Sequence, residues 1–232
     1  MDKKPGLLTA LDVITIITLL VATGMVFIFA PVEAVMGLVQ KVFYFHVASA
    51  WVGMLSFFVA AVAGGIYLAK GDHKWDIVGL SSVEIGLAFT FIAVVTGSIW
   101  ARPIWNTWWT WDPRLTTTTI MLLIYAAYLM LRSGMEDPDR RARFGAVYAI
   151  IGFLSVPLTF FSARLFRTIH PVVIGTNQPG SQGGFDMTGD MRLVFFFSLF
   201  TFTLIFVDLL WHRVRLGRLQ DKVEQLKLKL NA

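Results

Sequence analysis

The sequence of 232 residues contains no cysteine. It therefore cannot form a disulfide, a thiolate metal site, a C-x-x-C redox pair or the C-x-x-C-H attachment of a c-type haem. Charged residues are also scarce, at 15% of the chain, whereas 56% of the residues are hydrophobic and 14% are aromatic. Mean hydropathy is +0.67. This composition predicts a membrane protein rather than a soluble globule.

Six apolar stretches come close to the ~20 residues that a helix needs to cross a bilayer. They cover about 9–30, 42–69, 77–99, 115–131, 144–163 and 193–211. The first stretch is longer than the core of a signal peptide, and no A-x-A-like site precedes Pro31, so we expect it to stay as a span. The sequence thus predicts an all-α, polytopic bundle of six transmembrane helices over residues 1–212, with a cytoplasmic amphipathic tail over 213–232.

The distribution of lysine and arginine predicts the orientation of these helices. With the N-terminus inside, 14 of the 20 basic residues fall on the cytoplasmic side and 6 outside. Cytoplasmic loops carry such an excess, so we expect both termini in the cytoplasm and residues 100–114 and 164–191 outside. The immediate partner of the spans is membrane lipid. Nucleic-acid binding is not expected, because the basic residues are scattered rather than gathered in one stripe.

Two of the four histidines are predicted to share the outer face. His46 follows three aromatic residues near the outer end of the second span, and His170 follows the fifth span. His73 and His212 fall on the cytoplasmic side. A histidine near a helix end is often an interfacial hydrogen-bonding residue, but imidazole is also a common axial ligand of haem iron. Both roles remain open for the outer pair.

The segment between the third and fourth spans is the most unusual part of the sequence. It interleaves five of the eight tryptophans with charged residues: Trp100, Arg102, Trp105, Trp108, Trp109, Trp111, Asp112 and Arg114. Tryptophan favours membrane interfaces, but such density indicates a surface rather than a belt. Indole rings stack on flat apolar ligands and guanidinium groups pair with carboxylates. We therefore predict a large, flat, anionic ligand, with Arg164 and Arg167 as further contacts; phospholipid headgroups are the alternative partners of the arginines.

This tryptophan-rich segment also carries a family resemblance. The pattern resembles the WWD signature of haem-handling proteins in cytochrome c biogenesis, and it reads Trp105-x-x-Trp108-Trp109-x-Trp111-Asp112-x-Arg114-Leu115-Thr116. With six spans and with His46 and His170 on either side of the signature, the chain is similar to the CcmC family. The resemblance extends over nearly the whole chain and is most specific around 43–51, 100–116 and 164–172.

The resemblance implies a haem-delivery protein of the bacterial inner membrane. CcmC-like proteins present haem b, bound without a covalent bond, at the periplasmic face and promote its attachment to a histidine of the haem chaperone CcmE. They associate with CcmA-, CcmB- and CcmD-like subunits of an ABC transporter complex. By resemblance, His46 and His170 are the expected contacts of the haem iron, and the periplasmic Trp-rich loop is the platform for the ring and for the chaperone.

Two other functions remain open at the level of the sequence. An electron-transfer membrane cytochrome normally holds haems at both depths, whereas the predicted topology supplies one outer histidine pair and two isolated inner histidines. A non-haem scaffold subunit of an ABC transporter would use the Trp-rich segment for docking alone. The chain has no Walker-type phosphate loop, so any enzymatic role is at most assistance in attaching haem to the chaperone.

Three further features carry structural predictions. Glu84 lies within the third span without an evident partner, and we expect it to pack against serine or threonine or to transfer protons. Pro157 is expected to kink the fifth span. The tail has a heptad seam that predicts an extension of the sixth span, a helix on the cytoplasmic leaflet or a partner-docking helix; the seam consists of Leu216, Leu219, Val223, Leu226 and Leu230.

Overall fold

The computed structural model describes residues 4–172 and 187–231. These residues form seven α-helices: α1 (Gly6–Gly24), α2 (Val42–Lys70), α3 (His73–Trp105), α4 (Pro113–Ser133), α5 (Pro138–Phe153), α6 (Ser155–Leu165) and α7 (Gly189–Asn231). A π-helical turn at Met25–Phe29 continues α1, and a 3-10 turn at Leu38–Lys41 precedes α2. The two described ranges contain no β-strand, and the predicted all-α fold is confirmed.

Six helical segments are long and apolar enough to cross a bilayer, with α5 and α6 together forming one of them. The six predicted transmembrane helices are thereby confirmed, and the protein is a multi-pass membrane protein. Of the predicted outer segment 164–191, residues 173–186 lie outside the described residues.

Consecutive spans run in opposite directions, as two contacts at opposite ends of the bundle illustrate. Near the start of α2, His46 Nδ1 lies 2.8 Å from the carbonyl oxygen of Ala93, which is close to the end of α3. At the other end, His73 Nε2 at the start of α3 lies 2.9 Å from Asp139 Oδ1 at the start of α5. The end of the bundle that carries His46 and the Trp-rich segment is called the aromatic face below.

Close approach of α2 and α3 depends on glycines that face the neighbouring helix. A Cβ atom at Gly53 would overlap with Thr90 Oγ1, and one at Gly86 would lie 2.7 Å from Phe57 Cε1. Small residues of this kind let helix backbones approach within a membrane, where van der Waals packing drives association. The Phe57 ring in turn stacks on Tyr125 of α4 with the ring centres 3.5 Å apart, which joins α4 to the α2–α3 pair.

The third span extends further than predicted. α3 continues past position 99 to Trp105, so Trp100 and Trp105 are helical and the connecting loop is confined to 106–112. Pro103 lies inside α3 only two residues from its end. A proline this close to the terminus disturbs only the last turn. The helix is thus longer at this end than the predicted span, and helix geometry fixes the relative positions of the first two tryptophans.

The fifth span breaks where its proline predicts. α5 ends at Phe153, α6 begins at Ser155, and Ser155 Oγ donates a hydrogen bond of 2.6 Å to the Gly152 carbonyl at the junction. Pro157 has no N–H to donate to the carbonyl four residues earlier, and its ring crowds that carbonyl. The regular helix is therefore interrupted three residues before Pro157, while Leu154 at the junction keeps helical backbone angles (φ −59°, ψ −27°). A kink at this position stays a prediction.

Ion pairs join the helices at the end opposite the aromatic face. Arg132 of α4 is buried and donates two hydrogen bonds to Asp76 of α3, of 2.6 and 2.8 Å. Glu84 pairs with Arg213 of α7, with 2.6 Å between Arg213 Nε and Glu84 Oε2. The expectation that Glu84 packs against serine or threonine or transfers protons is therefore replaced by a structural pairing. The two partners are separated by 129 residues in sequence.

The C-terminal seam belongs to the last transmembrane helix. α7 runs from Gly189 to Asn231, so it passes the predicted domain boundary at 212 without a break. Of the three alternatives for the tail, this continuity favours an extension of the sixth span. The seam residues are exposed along this extension, with relative exposures of 48%, 45%, 43%, 60% and 85% for Leu216, Leu219, Val223, Leu226 and Leu230.

Candidate functional site

A cavity of about 170 Å³ lies at the aromatic face. Helices α2, α3, α4 and α6 form its walls, and the segment that follows α6 covers one side. A single buried water needs only ~15 Å³ of such space, so the cavity is much larger than a packing gap. Most of the lining is aliphatic or aromatic, and its polar groups include two histidines and two arginines.

Two histidines that are distant in sequence meet at this cavity. His46 comes from the start of α2, and His170 comes from the irregular segment after α6. The centres of the two imidazole rings are 6.3 Å apart, and the ring planes are inclined by 43°. The structure therefore brings together in one site the two histidines that the sequence predicted to share one face.

Hydrogen bonds assign the free nitrogen of each imidazole. His46 Nδ1 lies 2.8 Å from the Ala93 carbonyl oxygen, and His170 Nδ1 lies 3.0 Å from the Pro171 carbonyl oxygen. A carbonyl oxygen only accepts, so each Nδ1 must carry the hydrogen, and in a neutral imidazole the lone pair is then on Nε2. Metal-binding histidines commonly have this arrangement, with the second nitrogen donating to a carbonyl.

The environment of His170 keeps its ring neutral. Burial, followed by the positive charge of Arg114 and the proximity of His46, lowers the pKa of His170 to about 3. The ring is thus unprotonated throughout the physiological pH range. A neutral ring is the form that binds a metal ion.

Gly97 makes room for His46, and sequence reasoning missed it. A Cβ atom on Gly97 would lie 2.8 Å from His46 Cε1 and 3.2 Å from His46 Nδ1. Contacts below 3 Å force a displacement, so only glycine leaves the ring in its observed position. The sequence around Gly97 gives no signal for this role, because the clash arises only where α2 packs against α3.

Four of the five tryptophans of the signature segment line the cavity: Trp100, Trp105, Trp108 and Trp109. Trp105 contacts the His170 ring edge-on, with 6.4 Å between the ring centroids. Trp105 also contacts the Trp100 ring edge-on, with 5.1 Å between the ring centroids. Trp111 is 73% exposed and packs against Trp109 from outside the cavity. The segment thus combines a cavity wall with an exposed aromatic rim.

Two indole nitrogens beside the cavity lack hydrogen-bond partners. Trp100 Nε1 and Trp109 Nε1 are buried without an acceptor in the part of the chain that the structure describes, and the hydroxyl of Thr110 is in the same condition. An unsatisfied buried donor costs ~1–3 kcal/mol. Such groups at a cavity wall fit a ligand that supplies acceptors, as the carboxylates of a haem would.

Two of the four predicted arginines reach the cavity. Arg114 lines it, while its Nη1 donates to the carbonyl oxygens of Thr159 and Phe160 at 2.7 and 2.8 Å. Arg164 also lines it and lies over the Phe160 ring, 4.6 Å from the centroid. Arg114 therefore joins the start of α4 to α6, and it contributes positive charge at the same position.

The other two arginines are outside the cavity. Arg102 Nη1 donates to the Asn106 carbonyl oxygen at 2.9 Å, at the C-terminus of α3. The last carbonyls of a helix have no partner within the helix, which explains this contact. Arg167 is exposed and does not line the cavity. Neither residue lines the cavity, and a contact of either with the ligand stays a prediction.

Asp112 joins the Trp-rich segment to the segment that carries His170. Its Oδ1 accepts from the backbone N–H of Leu115 at 2.9 Å and so caps α4, and its Oδ2 accepts from the hydroxyl of Thr168. Asp112 is only two residues from Arg114, but the Arg114 guanidinium bonds to carbonyls of α6. The Asp112 carboxylate acts as the N-cap of α4, where it accepts from a backbone N–H group.

These observations define a polytopic helical membrane protein with an aromatic cavity that contains a histidine pair. A family model described as heme exporter protein C (CcmC) matches residues 4–229, and the chain belongs to that family. The heme exporter protein C of Bradyrhizobium diazoefficiens is 33% identical over 202 residues, which is 86% of this chain and 74% of that protein. The heme exporter protein C of Rhodobacter capsulatus is 33% identical over 205 residues, which is 87% of this chain and 82% of that protein. The heme exporter protein C of Escherichia coli K12 is 30% identical over 187 residues, which is 81% of this chain and 74% of that protein.

Proposed function

We propose that this protein binds haem in the cavity, with His46 and His170 as axial ligands of the iron, and delivers it for c-type cytochrome maturation. The geometry of the histidine pair is the observation that carries the proposal. Two imidazoles that bind one iron through bonds of ~2 Å have ring centres ~6 Å apart. The separation of 6.3 Å, with both Nε2 lone pairs available, fits such a pair.

The remaining lining suits the rest of the macrocycle. The indoles offer flat apolar surface for a ring held without a covalent bond, as in haem b, and they exclude water from the iron. Arg164 and the unsatisfied indole N–H groups of Trp100 and Trp109 supply a cation and donors for the haem carboxylates. The haem is cargo in this proposal, and the protein holds and orients it.

The rim of the cavity suits transfer to a second protein. Trp111 and Trp108 are 73% and 59% exposed, and exposed aromatic side chains favour protein contacts. We infer that a CcmE-like chaperone docks here and receives the haem on its own histidine. CcmA-, CcmB- and CcmD-like subunits complete the complex, in the bacterial inner membrane.

The remaining histidines favour delivery over electron transfer. His73 Nε2 lies 2.9 Å from Asp139, and His212 Nε2 lies 2.8 Å from Asp12. Each of these rings therefore contacts a carboxylate rather than a second histidine. One histidine pair supports one haem site, whereas transmembrane electron transfer needs a second site at another depth.

The proposal places the aromatic face in the periplasm and both termini in the cytoplasm. The cysteine-free chain allows a direct test with Asp190→Cys, at the aromatic end of α7, and Glu136→Cys, between α4 and α5. A membrane-impermeant maleimide added to intact spheroplasts should label only the variant at position 190. Labelling of position 136 alone would reverse the orientation and move the cavity to the cytoplasmic side.

The proposed transfer is tested by replacing Trp105, Trp108, Trp109 and Trp111 together by alanine. We expect haem loading of a co-expressed chaperone to be abolished, because each aromatic contact adds ~0.5–1.5 kcal/mol beyond its buried area. The measurement is covalent haem on the chaperone, normalised to the amount of each variant in the membrane. Trp51→Ala is the control, since Trp51 lies outside the cavity and donates to Thr203.

Normal chaperone loading by the quadruple variant would contradict haem handling by this segment.

Single variants distinguish the tryptophans of the cavity wall from those of the exposed rim. Trp105→Ala should reduce haem retention, because Trp105 contacts His170. Trp111→Ala should retain haem and reduce transfer, because Trp111 faces outward. Equal loss of haem retention in both would contradict this division of roles.

A further inference from the structure

We propose that Thr168 is a positioning residue, which sets the place of His170 relative to α4 and thereby the coordination of the iron. The inference rests on the proposed haem site. Thr168 follows α6 by three residues and is only 4% exposed. Its hydroxyl donates to Asp112 Oδ2 and accepts from the backbone N–H of His170 at 3.0 Å.

The chemistry of the three groups fixes the direction of both bonds. A backbone N–H only donates, and an ionised carboxylate only accepts. The single hydrogen of the Thr168 hydroxyl must therefore point to Asp112, and its lone pair must face His170. A hydroxyl is the side-chain group of this size that can donate one hydrogen bond and accept another at the same atom. Valine has nearly the same shape as threonine but can form neither hydrogen bond.

The two bonds connect the His170 segment to one wall of the cavity. Asp112 is fixed to the start of α4 through the Leu115 N–H, and this part of α4 carries Leu115 and Thr118 of the lining. The segment after Leu165 is not helical, and Pro171 has no N–H to anchor it. The Thr168 hydroxyl thus holds the His170 backbone at a fixed position relative to the start of α4.

His46 depends on a different set of contacts. It is held by α2 and by the Ala93 carbonyl of α3. The separation of the two imidazoles is therefore set by α2 and α3 on one side and by the Asp112–Thr168 link on the other. Loss of the link should loosen one axial ligand and leave the other in place.

The test uses the full-length protein in detergent with added haem. Thr168→Val should accelerate haem dissociation by about tenfold or more, since hydrogen bonds to charged groups are the stronger class. Its spectrum should shift from the six-coordinate toward the five-coordinate form. Thr168→Ala removes the same hydroxyl and should behave alike. Thr168→Ser keeps the hydroxyl and should restore both properties.

Two comparisons separate positioning from a general structural role. Thr119→Val is the matched control, because the Thr119 hydroxyl bonds only within α4 to Leu115 and does not line the cavity. In a His170→Ala background, Thr168→Val should change neither dissociation nor spectrum further. An added tenfold effect in that background would show that Thr168 acts on the fold rather than through His170, and would overturn the proposal.

The inference and the proposed function fail in different ways. Unchanged spectra and dissociation rates in Thr168→Val and Thr168→Ala, beside a wild type that binds haem through both histidines, would refute the role of Thr168 alone. Absence of saturable haem binding in the wild type and in Thr168→Ser would refute the haem site itself. A tenfold effect that serine rescues and that disappears without His170 is the result we expect.

Discussion

Replacing either His46 or His170 by alanine is expected to weaken haem retention by about a hundredfold or more, since even the outer contacts of a metal site are worth 10–100-fold. Each variant loses one axial ligand, so the remaining haem should be five-coordinate with shifted Soret and visible bands. Chaperone loading should fall in parallel. The measurement is haem per protein and the absorption spectrum after purification in the same detergent.

The other two histidines provide the matched controls. His73→Ala and His212→Ala remove the same side chain where it contacts Asp139 and Asp12, and they should leave haem content and spectrum unchanged. Wild-type spectra in both the His46 and the His170 variants would remove the two ligands from the proposal. A similar loss of haem in the His73 or His212 variants would point to a second haem site.

Gly97→Ala is expected to reduce haem retention by about tenfold or more, because displacing a metal ligand has consequences of that order. The added methyl group would lie 2.8 Å from His46 Cε1. Either the ring moves and loses its bond to the Ala93 carbonyl, or α3 moves away from α2. Both changes alter the separation of the two imidazoles. Haem dissociation from the purified variant measures the effect.

Gly65→Ala is the control for this substitution. Gly65 also lies within a long transmembrane helix, toward its C-terminal end, but a Cβ atom there meets nothing within 4 Å. Haem retention should remain at the wild-type value, and alanine has the higher helix propensity. In a His46→Ala background the methyl group at 97 has no ring to displace, so Gly97→Ala should have no further effect. Equal losses in Gly97→Ala and Gly65→Ala would contradict the steric explanation.

The sequence was sufficient for the parts of the structure that depend on composition along the chain. Apolar runs of membrane length predicted the six spans, and the alternation of spans placed His46 and His170 on one face. Pro157 predicted the break in the fifth span because its effect is local. These predictions need no knowledge of which helices are neighbours.

The sequence did not predict the contacts that depend on which helices are neighbours. For Arg114 the sequence predicted a contact with the ligand or with phospholipid headgroups, whereas its guanidinium bonds to backbone carbonyls of α6. Backbone acceptors are present at every residue, so the sequence gives no signal for such a contact. Glu84 forms an ion pair with Arg213, which is 129 residues away in the sequence. Gly97 and Thr168 look unremarkable in sequence, since one acts by lacking a side chain beside His46 and the other by a hydroxyl between two distant segments.

The most direct test of the central claim is a haem titration of the purified wild-type protein, followed by electron paramagnetic resonance of the ferric complex. We expect binding to saturate at one haem per chain, with the low-spin signal of iron between two imidazoles. Saturation without a low-spin signal, or binding that never saturates, would contradict the assignment of His46 and His170 as a ligand pair.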